Sequence, residues 1–354
     1  MQKINNIEIK NFKSIHDAKI SDCKRVNIFI GYPNVGKSNI LEALSLMAYS
    51  DKHCFVYLKD LCRYQRLIEI FSDGDKQKDA EIITDKYVYS LRFLDQTQLD
   101  FALIERTNYQ ERSDTVLSDS SHLLRNLRFN TDGAVNVLQV PNVNKPKIES
   151  PAVKKYDFKA SGLNQNSNPT ILKFPFGENL SEVIRHNKFL RKEVGQLFDD
   201  YNLQLIFDEK EDIKIQKKLD EYSAFQIPYV QIADTIQRLI FHKAAIQSNQ
   251  NSVLLFEEPE AHMFPPYISK FTNDIIHDEN NNQFFVTTHS PFVLNDLMDN
   301  LKTDELSIYI VSYKKNTGET IINRMNEEDV HEAYQFGYDF FMNIDKFISQ
   351  EQHE

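Results

Sequence analysis

Positive charge is in deficit in this chain. Its 41 Lys and Arg face 52 Asp and Glu, a formal net charge of −11. A protein that tracks nucleic acid over its whole surface is usually basic, so the balance argues against autonomous DNA or RNA binding and leaves room only for a local basic patch. Cysteine is sparse: Cys23, Cys54 and Cys62 have no metal-ligand spacing, and an odd count builds no disulfide framework. A reducing, cytoplasmic setting is expected. No apolar run reaches the ~18 residues of a membrane helix, and the opening MQKINNIEIKNF is too polar for a signal peptide; no membrane contact is expected. There is neither an internal repeat nor a heptad run long enough for a coiled-coil arm. Glycine is scarce too. Of 9 in the chain, two (Gly31 and Gly36) share one short stretch, GYPNVGKSN.

What is present is a globular balance. The 354 residues are 41% hydrophobic and 26% charged, enough for one large domain or two smaller ones with a real core. KINNIEIKNF alternates at Ile4, Ile7 and Ile9 and predicts an edge strand. In AKISDCKRVNIFIG the run Val26, Ile28, Phe29, Ile30 predicts a second strand that stops at Gly31. SNILEALSLMAYS has helical spacing at Ile40, Leu41, Leu44 and Met47. Residues 53–72 read as helical and 86–108 as mixed strands. Five prolines with many Asn, Ser and Lys across 141–175 predict an irregular, mobile connection.

Further along, ENLSEVIRHNKFLRKEVGQLFDDY reads as one amphipathic helix burying Leu180, Ile184, Phe189 or Leu190, Val194 and Phe198. DTIQRLIFHKAAIQ, Asp234 to Gln247, predicts a helix opened by an Asp cap. SVLLFEEPEAH and QFFVTTHSP read as buried strands that end in polar residues. LSIYIVSY and ETIINRM pair as a hairpin, and HEAYQFGYDFFMNIDKFI closes the chain as a helix. The expected organisation is an α/β core over 1–75 and 225–325, an inserted lobe or lid over 76–224, and a C-terminal helix over 326–354.

GYPNVGKSN fits the phosphate-loop pattern GxxxxGK[ST], with a strand before it and a helix after it. Gly31, Tyr32, Pro33, Asn34, Val35, Gly36, Lys37, Ser38 and Asn39 are therefore the candidate nucleotide-binding loop. Backbone N–H groups and the helix N-terminus would cradle phosphate, with Lys37 on the β- and γ-phosphates and Ser38 on Mg²⁺. The same letters open a family of small GTPases, but that class also needs N-K-x-D to read guanine. Asn144–Lys145 and Asn187–Lys188 are followed by Pro-Lys and Phe-Leu. The class needs D-x-x-G as well, and none of the 9 glycines has an Asp three residues before it. ATP is the expected nucleotide.

Two later stretches fit an ATPase. VLLFEEPEAH places Glu257 and Glu258 at the end of a buried strand, the edge where parallel α/β sheets bind ligands. One carboxylate suits the metal shell, and the next suits orienting the attacking water. FFVTTHSP puts His289 just after another buried strand, where an imidazole can hydrogen-bond the γ-phosphate.

In combination, the order I-x-I-x-N-F-K-S-I, GxxxxGKSNILEAL, LLFEEPEAH and TTHSP resembles the ABC-type AAA-family ATPases of the RecF, SMC and OLD-like group, in its stand-alone form. The resemblance implies a P-loop NTPase with an ABC-type core, a mixed sheet flanked by helices, and an inserted central lobe. It implies that Lys37 and Ser38 bind phosphate and Mg²⁺, that Glu257 takes the metal-side position usually held by Asp, that Glu258 is catalytic, and that His289 is the switch histidine. It implies a homodimer or higher oligomer closed around ATP. QIADTIQRLIFHKAAI takes the place of the helix that packs on the partner's nucleotide, with Thr235 where glycine is usual. His262 falls near that seam or merely packs. The 65 residues after His289 hold no D-x-D, so a TOPRIM nuclease is not expected, and an effector is expected on a separate chain. The implied role is an ATP-driven switch in antiphage defence or genome surveillance; the alternative is a RecF-like repair clamp that binds DNA.

Overall fold

The computed structural model describes residues 3–108, 123–138, 148–159, 169–208, 212–330 and 340–347. The chain opens with β1 (Ile7–Phe12), β2 (Ile15–Ile20), β3 (Val26–Ile30) and α1 (Lys37–Ser45), then the single turn α2 (Leu58–Leu61). A run of strands follows: β4 (Ala80–Thr84), β5 (Tyr87–Asp95), β6 (Gln98–Glu105), β7 (Leu123–Asn130), β8 (Val135–Val137) and β9 (Ala152–Tyr156). Next come α3 (Leu180–His186), α4 (Lys188–Gln196), β10 (Leu203–Phe207), β11 (Ile213–Lys218), β12 (Ala224–Pro228) and α5 (Asp234–Ser248). The last described elements are β13 (Ser252–Glu257), α6 (Pro265–Ile276), β14 (Gln283–Thr287), α7 (Pro291–Asn300), β15 (Leu306–Tyr313) and β16 (Thr320–Arg324), followed by a short 3₁₀ turn.

The central sheet has the order β16-β15-β3-β14-β13-β9. Its β9, β13, β14, β3 and β15 run parallel, and β16 returns antiparallel to β15. Because side chains alternate along a strand, β3 feeds two cores. Val26, Ile28 and Ile30 face one core with Leu254, Phe256, Phe284 and Val286, under helices α3 to α7. Phe29 faces the other with Leu255, Phe285 and Tyr309, under α1. That second core is closed by a seven-stranded antiparallel sheet, β2-β1-β4-β5-β6-β7-β8. A third sheet, β10-β11-β12, lies against the helical side.

Register decides where chemistry gathers. Glu257 pairs with Thr287, Thr287 with Phe29, and Phe29 with Tyr309, one row across the sheet. The loops after β3, β13 and β14 therefore leave from one edge, side by side.

Several local expectations change. β1 is not an edge strand; it lies between β2 and β4, and β2 holds the edge. The helix expected over 53–72 is α2 and 3₁₀ turns at Leu67–Ile70 and Ser72–Gly74. The long amphipathic helix breaks in two at Asn187, whose side chain caps α4 by accepting the Leu190 N–H at 3.0 Å. Asp234 is the first residue of α5 rather than its cap; Ala233 holds the cap position, and Asp234 pairs with Arg238 at 2.7 Å. The hairpin β15–β16 forms as expected. The segment 76–224 supplies strands to all three sheets, including β9 to the central one. Of the proline-rich stretch, 141–147 and 160–168 lie outside the described residues, while Ala152–Tyr156 forms the regular strand β9. Of the expected closing helix, 331–339 and 348–354 lie outside them, and 340–347 carries a 3₁₀ turn at Ile344–Lys346 rather than a continuous helix.

Candidate active site

The loop after β3 turns tightly, with Asn34 at φ 62° and Gly36 at φ 100°. Left-handed positions inside a turn point successive N–H groups inward, which makes an anion cradle. Gly36 is also the cap of α1, and no side chain caps that helix. Its first N–H groups are left for an external acceptor. A Cβ at Gly31 would overlap the Val311 carbonyl, and one at Gly36 would overlap the Thr320 hydroxyl. Only glycine fits either place. Tyr32, Pro33 and Asn34 form the exposed rim, while Val35 packs into the core.

Lys37 is folded back over this loop, donating to the carbonyls of Gly31 at 3.0 Å and Tyr32 at 2.8 Å. Burial pushes its ammonium down to about 8, against the pull of Glu258 and Glu260. The Asn39 side-chain amide donates to Ser14 Oγ at 2.7 Å, which leaves its backbone N–H as the group it offers the cradle.

Glu257 ends β13 and meets the Ser38 hydroxyl. It is also spanned by Arg63 at 2.9 Å and Lys155 at 3.1 Å. Burial opposes its charged form, but Lys155, Ser38 and Arg63 together hold the carboxyl below its ordinary range. Arg63 is itself anchored on the buried Glu42 at 2.7 Å, and Lys13 pairs with the same carboxylate. The donor pair of one hydroxyl and one carboxylate, without thiolate or imidazole, suits a hard cation such as Mg²⁺. The described residues hold no cluster of three acidic, His or Cys groups that would cage a metal unaided. A cation here would share its shell with phosphate and water.

Glu258 has φ 42°, a left-handed conformation in a non-glycine residue. Its N–H donates to the Thr287 carbonyl at 3.0 Å. The turn this creates brings Glu258 Oε1 to 3.3 Å from His289 Nε2. Burial and the Lys37 charge hold His289 below its usual pKa, and Glu258 opposes them. Lys37, Glu258 and His289 thus sit in one electrostatic neighbourhood, and Ser38 and Glu257 lie beside it. Thr235 and His262 are joined nearby, Thr235 Oγ1 donating to the His262 carbonyl at 2.8 Å; His262 is exposed and does not pack into the core.

Sequence reasoning missed four residues around this site. Ser14 and Thr320 lock the loop from beneath, and Arg63 and Lys155 neutralise Glu257. Ser14 was visible as the last letter of NFKS. The other three come from segments without a motif.

A phosphate cradle, a hydroxyl–carboxylate pair, a second glutamate and a histidine on one edge of this sheet define an ABC-type AAA ATPase of the RecF/SMC group. The chain belongs to the family described as "AAA domain, putative AbiEii toxin, Type IV TA system", which matches residues 26–295. It is 24% identical over 328 residues, 81% of this chain and 85% of the relative, to an "ATP/GTP phosphatase" of Helicobacter pylori. It is 39% identical over 62 residues, 18% of this chain and 17% of the relative, to the DNA replication and repair protein RecF of Lactococcus lactis. Among solved structures, an SMC head bound to the C-terminal winged-helix domain of ScpA overlays with TM-score 0.54 at 15% identity, covering 93% of this chain and 100% of that one. These likenesses support a nucleotide hydrolase fold. No described helix is long and apolar enough to cross a membrane.

Proposed function

We propose that this chain binds ATP with Mg²⁺ at Gly31–Asn39 and hydrolyses it. The observation that carries this reading is the 3.3 Å approach of Glu258 to His289 at the strand edge that also launches the phosphate loop. On binding, Lys37 leaves the carbonyls of Gly31 and Tyr32 for the β- and γ-phosphates. Ser38 and Glu257 would hold the metal, which supplies charge neutralisation between the phosphates. Glu258 polarises a water for in-line attack on the γ-phosphorus. The bond to the β-phosphate oxygen breaks, ADP leaves, and the water's proton passes toward the carboxylate. His289 hydrogen-bonds the γ-phosphate and registers its loss. The work is positioning and charge stabilisation.

The test separates the two glutamates. Glu258→Gln keeps shape but loses charge, so turnover should vanish while ATP stays bound; Lys37→Ala should weaken binding itself. Near-normal hydrolysis by Glu258→Gln, with loss in Glu257→Gln, would reverse their roles. ATP should bind more tightly than GTP, because no guanine-reading N-K-x-D is present. The Helicobacter relative's name includes both nucleotides, so a paired calorimetric titration decides.

The reading extends to a switch that pairs with a second copy around ATP and acts through a separate effector protein in antiphage defence or genome surveillance. The toxin–antitoxin wording of the family description and the SMC head solved with a partner domain support it. Co-purification of a specific partner tests it. The RecF match favours a second reading, a DNA clamp. Such a clamp would bind DNA with affinity that drops steeply as salt rises.

A further inference from the structure

His289 is gripped at two points by a single turn. Its imidazole stands beside Glu258, and its backbone N–H donates to Glu260 Oε1 at 2.9 Å. The same oxygen accepts the Thr288 hydroxyl at 2.6 Å. Glu260 Oε2 is buried and makes no hydrogen bond. This is a costly arrangement, because an acidic group with half its acceptor capacity unused is being kept away from water. Burial, helped by the nearby Glu258 charge, pushes the Glu260 carboxyl up, against the Thr288 hydroxyl and the His289 and Glu260 amides.

The neighbouring bonds show what the glutamate adds. Glu258 N–H to the Thr287 carbonyl and Thr288 N–H to the Phe29 carbonyl, at 3.0 and 3.2 Å, fasten the end of β14. Ser290 N–H returns to Thr288 Oγ1 at 3.0 Å. Among these bonds, only the one to Glu260 holds the His289 amide, and Glu260 also fixes the hydroxyl that receives Ser290. The turn from Glu258 to Glu260 therefore sets both ends of His289: the ring through one carboxylate, the backbone through the other.

We propose that Glu260 is a positioning residue for hydrolysis, fixing the His289 backbone so that the imidazole stays in register with Glu258 and the γ-phosphate. The proposal rests on the ATPase reading above. Glu260 hydrogen-bonds Thr288 and His289 rather than the phosphate loop and reaches Lys37 only through its charge, so its loss should lower turnover far more than it changes nucleotide binding. Small misplacements at a reacting centre are costly in rate, and a supporting shell exists to prevent them.

The experiment compares wild type, Glu260→Ala and Glu260→Gln. It reads steady-state ATP hydrolysis, calorimetric ATP binding, and amide hydrogen exchange of the segment 284–292. Glu260→Ala should lower kcat by about tenfold or more while KM and ATP affinity stay within about twofold. Exchange should accelerate at His289 and not across the central sheet. Glu260→Gln keeps an acceptor at Oε1 and should recover kcat to within about threefold of wild type. Turnover by Glu260→Ala near the wild-type value overturns the proposal. So does a loss of affinity in parallel with kcat, or a Gln variant as impaired as Ala. A wild-type protein that binds but never hydrolyses ATP removes the ATPase reading and the catalytic role with it. Unchanged exchange at His289 in Glu260→Ala refutes the clamp alone.

Discussion

Ser14 Oγ and Thr320 Oγ1 stand 2.6 Å apart beneath the phosphate loop, joining residues 306 positions apart. The Asn39 amide donates to Ser14 at 2.7 Å, and Thr320 donates to the Val35 carbonyl at 2.9 Å. Ser14 therefore donates to Thr320, and the bonds form one directed chain, Asn39 to Ser14 to Thr320 to Val35. The first hairpin and the last one hold the loop between them.

This predicts the effect of the smallest possible change at Gly36. A Cβ there would overlap the Thr320 hydroxyl and lie 2.8 Å from Ser14 Oγ, at a φ of +100° that disfavours any side chain. Gly36→Ala should weaken ATP binding by at least about tenfold, measured by calorimetry, with the melting transition retained. Thr320→Val removes one link without adding bulk and should cost less. Equal affinity in Gly36→Ala and wild type would show that the cradle does not need this geometry.

The loop, the strand ends and the histidine were legible because each is written locally: a glycine spacing, an apolar run, a polar stop. The register that lines up Phe29, Thr287 and Glu257 was legible only as an order of motifs. Thr320 was not legible, since nothing near it in sequence marks a partner 306 positions away. Lys155 was hidden for a different reason. AVKKY on β9 is a short strand with two lysines amid proline-rich chain, and its place beside β13 is a tertiary fact. Asn187 escaped because helical periodicity continues across it; the break shows only once its side chain caps the following turn.

Lys37 gives the site a pH signature. Its ammonium, ordinarily near 10.5, is held at about 8 in the free protein. Bound triphosphate adds negative charge and raises it again. Below pH 8 the lysine is charged in both states and affinity is flat for this group. Above pH 8 binding must take up a proton, so affinity falls as pH rises. Stability runs the other way: between about 8 and 10.5 the unfolded chain holds more protons than the folded one, so this group makes the free fold more stable as pH rises. Calorimetry at pH 8.5 to 9 in buffers of different ionisation enthalpy should show proton uptake that Lys37→Met lacks. Equal uptake in the variant would assign the proton elsewhere.

His242 is predicted to be a cost to the fold. It lies between the rings of Phe241, Phe256 and Phe271 at 5.3, 5.4 and 5.3 Å. Both ring nitrogens are buried without a hydrogen bond. Burial, helped by Arg238, pushes its pKa from 6.5 down to about 3. Between those values the unfolded chain binds the extra proton, so stability is lost as pH falls through 6.5. His242→Leu should stabilise by about 1–2 kcal/mol at pH 7.5, and by more at pH 5. Urea unfolding at both pH values checks this. A destabilised variant at pH 5 would mean that the imidazole has a partner in solution.

Pairing around ATP is the remaining proposal, and it is motivated by the exposure of the site in the single subunit. His289 and Glu258 are exposed to about a third or more of their side chains, 36% and 43%, at the site proposed to hold ATP. Tyr32 of the phosphate loop, Phe264 before α6 and Phe292 at the start of α7 are exposed by 44%, 64% and 56%. Large exposed aromatic groups suit burial by another surface. The start of α5 is the surface proposed to cover the partner's nucleotide, and Ala233 and Asp234 there are exposed. Thr235 stands where the resemblance expects glycine, but its hydroxyl is already committed to the His262 carbonyl of its own chain. That hydroxyl proton is therefore not free to donate across the proposed seam. Thr235→Arg puts bulk and charge at that seam and should abolish hydrolysis while ATP binding to the isolated subunit stays nearly intact. Thr235→Val removes only the internal hydrogen bond and should retain most activity, which separates crowding from loss of the bond. Turnover measured over a range of protein concentrations should rise in specific activity as subunits pair, because nucleotide and dimerisation are linked by mass action. Sedimentation of Glu258→Gln with saturating ATP and Mg²⁺ should show a dimer. Concentration-independent activity together with a trapped monomer would mean that a single subunit completes the site.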